Sequence, residues 1–148
     1  MKPVLQALVL AEKVWEIDGG RKIIAGTFNR VFITQRPPDQ EIETPDGGKR
    51  RLVPAGVDPG APWAYINLTD VWDNTTIELQ FVSLTRNRVV FSTSAIVKCN
   101  DRLATVEIAI PLPRLDIPEE GVYAFEVVCE GEVIGSHRIT AKRHPSTQ

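Results

Sequence analysis

The chain has 148 residues, of which 43% are hydrophobic and 24% charged, with a formal net charge of −2. That composition suits one globular domain and is too apolar for a disordered chain. The lack of a basic excess argues against nucleic acid as a partner, since such affinity comes largely from neutralising phosphates, and no stretch approaches the roughly twenty apolar residues of a membrane span.

The opening segment, MKPVLQALVLAE, carries a short apolar run behind one lysine. No small-x-small cleavage site with a polar continuation follows, so the run reads as a buried strand and the protein as cytoplasmic. Val4 to Glu12 is apolar on both alternating faces except at Gln6, as in a strand covered on both sides. Asp18-Gly19-Gly20 then marks a turn, because glycine adopts positive φ without steric cost. Lys22 to Ile33 reads as a single returning strand, with Gly26 marking a bulge or a close approach of the backbone.

Gln35 to Trp63 holds six of the eleven prolines and four of the ten glycines. Within it, EIET and KRRLV flank PDGG, and Asp46-Gly47 is a strong reversal signal between two extended limbs. The stretch is expected to form a hairpin arm inserted into the domain at 35–62. Lys49, Arg50 and Arg51 give its returning limb a local positive charge suited to an acidic partner surface or to a neighbouring copy.

Trp63 to Trp72 alternates next. If Ala64, Ile66 and Leu68 face the core, Trp63 and Tyr65 point outward, either as a sugar or protein contact or beneath a covering layer. Asp73-Asn74 reads as a turn. Ile77, Leu79 and Phe81 then face inward, with Glu78 and Gln80 outward. The β-branched run VVFSTSAIV follows the Arg86-Asn87-Arg88 turn, and Ala104, Val106, Ile108 and Ile110 share one face of the next strand. GVYAFEVVCEGEVIGSHRITAKR reads as a hairpin turning at Glu130-Gly131. The sum is about eight strands and no amphipathic helix, which predicts an all-β antiparallel sandwich over 1–143, with a polar tail at 144–148.

Three segments resemble an uncharacterised bacterial family of immunoglobulin-like, C2-like β-sandwich proteins. These are QALVLAEKVW with GGRKIIAGTFNRVF, the middle strands, and LPRLDIPEEGVYAFEVVCEGEVIGSHRI. The resemblance implies the sandwich fold and no catalytic assignment, because a sandwich carries no activity of its own. Pro118, Glu119, Gly121, Tyr123, Phe125, Gly131 and Ile139 carry the shared ending. Tyr123 could serve as a tyrosine corner, although Cys129 stands six residues beyond it rather than two.

Cys129 aligns with Tyr123, Phe125 and Val127 as a small buried hydrophobe. The competing reading is a bridge to Cys99. His137 reads as a partly buried, hydrogen-bonded residue, and His144 as part of the solvated tail. No nucleophile elbow, phosphate loop, zincin motif or zinc spacing occurs. Asp70, Asp73 and Asn74 in one turn, with the acids Asp101, Asp116, Glu119 and Glu120 in others, raise calcium as an alternative, but such residues also build ordinary turns. The expected function is therefore non-enzymatic: a protein-binding or self-associating module without cofactor or metal. Carbohydrate or calcium binding, or an enzyme with an unrecognised acidic site, stand as alternatives.

Overall fold

The computed structural model describes residues 2–33, 62–115 and 117–143, together with the backbone of 40–43 and 49–52. Its strands are β1 (Val4–Glu16), β2 (Lys22–Thr27), β3 (Arg30–Ile33), β4 (Gln40–Glu43), β5 (Lys49–Leu52) and β6 (Trp63–Thr69). They continue with β7 (Asp73–Ser83), β8 (Arg88–Cys99), β9 (Val106–Pro111), β10 (Gly121–Cys129) and β11 (Glu132–Arg143). A four-stranded sheet, β2-β1-β6-β9, packs on a five-stranded sheet, β3-β11-β10-β7-β8, and β4-β5 form a separate pair. The protein is thus an all-β sandwich with more strands than the expected eight. No helix among the described residues is long and apolar enough to cross a membrane.

The core follows the alternation. Leu10, Ala64, Ile66 and Leu68 from the first sheet meet Ile77, Leu79, Phe81, Tyr123, Phe125, Val127 and Ile139 from the second. Phe81 is fully buried and stacks on Tyr123 at 5.2 Å and on Phe125 at 4.7 Å. Each such ring stabilises the fold by about 1.5–3 kcal/mol through burial alone. On β9, Val106, Ile108 and Ile110 sit opposite Leu68, Ile66 and Ala64, which is the expected face.

The turns hold largely as read. Glu130 (φ 51°) and Gly131 (φ 78°) reverse β10 into β11, and Gly19 and Gly20 take positive φ between β1 and β2. The reversal before β7 falls earlier than expected. Asp73 and Asn74 already belong to the strand, and Asp70 and Asp73, both at φ 58°, bracket the turn.

The single strand expected over Lys22 to Ile33 is two strands in different sheets. β2 pairs antiparallel with β1, whereas β3 pairs parallel with β11. The chain changes sheet at Phe28 and Asn29. The Phe28 N–H bonds the Leu10 carbonyl of the first sheet (3.3 Å), and the Asn29 carbonyl accepts from the Thr140 N–H of the second (2.9 Å). Apolar residues continue through both pieces, and local periodicity carries no information about a change of partner. Gly26, at φ 72°, lies against the Glu12 side chain, so the expected close approach is present. His137, half-buried, bonds the Phe28 carbonyl at 3.0 Å and so ties β11 to this crossover. A bulge between Val127 and Val128 shifts the register of β11, leaving Val133 exposed rather than in line with His137 and Ile139.

Candidate functional site

The inserted segment does pair as a hairpin. Gln40, Glu41, Ile42 and Glu43 on β4 oppose Leu52, Arg51, Arg50 and Lys49 on β5. The register sets Glu41 against Arg51, Ile42 against Arg50 and Glu43 against Lys49. Neither strand joins either main sheet. Asp46 and Gly47, the expected reversal, lie outside the described residues, as do Asp116, His144 and the tail.

Trp63 and Tyr65 do not form an open aromatic platform. Both lie on the outer face of the first sheet, but Tyr65 is only 8% exposed and packs with Ala11 and Val14. Its cross-strand neighbours are Val9 and Ala109, short side chains beside which the ring is covered. The Tyr65 hydroxyl donates to the Glu107 carboxylate and accepts from Asn67 Nδ2 at 3.3 Å. Burial, then the bond to Glu107, pushes the phenol above its usual range, so the hydroxyl stays protonated as a donor. Trp63 is half-buried, with Lys13 Nζ 4.7 Å from its ring centroid. Asn67 Oδ1 is buried without a hydrogen-bond partner. On this face Tyr65 is therefore buried among its own sheet's side chains and Trp63 is half-buried.

Trp72 is exposed at 57%, more than Trp15 at 47%. Val71 before it is wholly buried in the core, which forces Trp72 outward, and Asp70 and Asp73 in left-handed conformation bracket the pair. The Thr75 hydroxyl bonds the Trp72 carbonyl at 3.2 Å. Trp72 borders an open groove of ≈ 720 Å³ that also meets Asp73, Asn74, Glu78, Arg102 and Glu130. Sequence reasoning missed this groove because it extended the strand through Trp72. The available signal was an apolar pair between two aspartates.

The remaining acids have local tasks. Asp101 Oδ1 accepts the Leu103 N–H at 2.9 Å, and Glu120 accepts the Arg143 N–H at 2.7 Å. Glu119 receives two bonds from Arg86, at 2.6 and 2.8 Å, which hold its carboxyl below the usual range. Among the described residues no three His, Cys, Asp or Glu side chains gather where they could hold a metal ion. Tyr123 donates its hydroxyl to the Glu119 carbonyl, four residues upstream, at 2.8 Å, the geometry of a tyrosine corner. Both cysteines are free thiols, with Cys129 buried and Cys99 half-buried.

A scan against protein-family models finds no match, and a search of curated proteins likewise finds none.

Proposed function

We propose that this chain is a non-enzymatic protein-binding module whose contact element is the β4–β5 hairpin. The observation supporting this reading is the hairpin's independence. It is inserted between β3 and β6, yet its two strands pair only with each other. A two-stranded hairpin has little stability of its own in water, and a long insertion that adds no strand to either main sheet is uncommon in a compact domain, which supports a role in contact. Lys49, Arg50 and Arg51, consecutive on β5, are the basic residues that suit an acidic partner surface.

The test is replacement of residues 40–52 by a short Gly/Ser linker. Closure entropy changes slowly with loop length, so the sandwich should stay folded, with a melting temperature within a few degrees of the parent. Proteins retained from the native cell extract by the intact chain should be lost. Charge reversal at Arg50 and Arg51 should slow their association at low salt and matter less at high salt. Unfolding of the linker variant, or unchanged retention by it, refutes the reading.

A second reading, binding of a neutral carbohydrate, is favoured by Trp72 over its polar groove. An exposed indole face with carboxylate and amide groups beside it suits stacking and hydrogen bonding of a sugar ring. Titration with neutral oligosaccharides should change tryptophan fluorescence in the parent but not in Trp72→Ala. An unaltered signal in the parent removes this alternative.

A further inference from the structure

Each sheet has two edges, and three of the four are blunted. β2 is six residues long and contains Gly26 at φ 72°. β9 is also six residues, carries Glu107 and ends on Pro111. β3 has four residues. Short strands, charges, glycine kinks and proline are the usual means of preventing edge-to-edge pairing. β8 uses none of them in its middle. It is twelve residues long, and Val89 to Val97 contains no charge, proline or glycine. β7 occupies one side, and no described strand pairs with the other. Ser92, Thr93 and Ser94 are exposed, and Ile96 is 67% exposed.

The stacking of the sheets sharpens this. β1 lies against β11, with Leu5 facing Gly135. The five-stranded sheet has one strand more than the sheet it packs on, and β8 stands at its end, three places from β11. Its core-facing row is accordingly incomplete. Val97 is buried, but Phe91 and Ala95 are half-buried and Thr93 is exposed.

We propose that this edge pairs with β8 of a second copy of the chain, antiparallel about a two-fold axis at Ser94. This register sets Ser94 against its own counterpart, Thr93 against Ala95, Ser92 against Ile96 and Phe91 against Val97. No two charges meet, and the irregularity at Val90, where β8 shifts register on β7, stays outside the paired segment. An axis one residue earlier, at Thr93, sets Arg88 against Lys98 and draws Val90 into the ladder, which like-charge repulsion and the bulge both disfavour. The chosen pairing is self-complementary, as a two-fold interface requires. It also joins the half-covered core-facing rows of both copies into one continuous sheet of ten strands, five from each.

Ser94→Lys separates pairing from folding. In the monomer the new lysine stands opposite Glu78, a favourable cross-strand position. In the dimer two lysines oppose each other across the axis. Light scattering on the eluting parent should give twice 16.4 kDa at about 100 µM. The variant should elute as a monomer, with its dissociation constant raised roughly tenfold or more and its melting temperature unchanged. With Cys99 replaced by alanine, Ser94→Cys should cross-link under mild oxidation, since directly opposed residues lie about 4.5–5.5 Å apart at Cα, whereas Ser92→Cys should not. A monomeric parent, a dimeric Ser94→Lys variant, or equal cross-linking of the two cysteine variants overturns the proposal. The linker variant lacking β4 and β5 should remain a dimer, so failure of the hairpin reading and failure of this one are distinguishable.

Discussion

Gly135→Ala tests how closely the two sheets approach. A Cβ built at Gly135 overlaps Leu5 Cδ2 and comes within 3.3 Å of Leu5 Cγ. Two effects oppose each other. Alanine restricts the unfolded chain, which favours folding by about 0.5–1 kcal/mol at a strand position. Overpacking forces Leu5 off its rotamer or the sheets apart, at a cost of about 1–3 kcal/mol. The steric term wins, and the variant should lose about 1–2 kcal/mol, equivalent to a melting shift of about 2–8 °C for a chain of this size. Leu5→Ala alone should also destabilise, by less than the about 2–5 kcal/mol of a fully buried leucine, because Leu5 is half-buried. In the double variant the added methyl occupies space that Leu5 vacated. The two losses should therefore fall short of additivity by at least about 1 kcal/mol. Urea unfolding of the four proteins, with the denaturant slope unchanged, measures this coupling. A Gly135→Ala variant as stable as the parent, or strict additivity, would show that Leu5 does not fill the space above Gly135.

Tyr123→Phe removes the bond to the Glu119 carbonyl while keeping the ring on Phe81, so it should cost about 0.5–1.5 kcal/mol in the same urea assay. The chain has two tyrosines, Tyr65 and Tyr123, and burial is the first cause raising both phenols. Each shift favours the neutral form, so its stabilising contribution is complete below the unfolded phenol value of about 10 and is lost as pH rises through the higher folded value. Ultraviolet titration should accordingly show no phenolate forming in the normal range, and Tyr65→Phe should remove one of the two late transitions. Thiol titration should count two groups per chain after denaturation without oxidant. In the native protein Cys129 should react slowly, because it is buried and its thiol is pushed up by burial and then by Glu130.

Much of the fold follows from the order of residues alone, because alternation is a local property. Ile77, Leu79 and Phe81 against Glu78 and Gln80 define an inner and an outer face before any partner strand is known, and the structure buries the first three. Turn chemistry is equally local: Glu130-Gly131 and Gly19-Gly20 reverse the chain where they stand. The pairing of EIE with KRRL is visible for the same reason, since a short loop allows few registers. What the sequence could not decide is which strands meet. Lys22 to Ile33 looks continuous, yet its halves enter different sheets because Leu10 and Thr140, residues remote from one another in the chain, take the backbone groups at Phe28 and Asn29. Tyr65 looks outward, yet Glu107, forty-two positions away, receives its hydroxyl and Ala11 and Val14 cover its ring. Trp72 reads as the end of a strand, yet the burial of Val71 turns it out to solvent. The open edge at β8 arises in the same way. VVFSTSAIV is only a strand in the sequence; the pairing of the five-stranded sheet places it at the end, with β7 on one side and no described strand on the other. Faces depend on neighbours two residues apart, whereas edges, crossovers and cover depend on contacts that chain order does not encode locally.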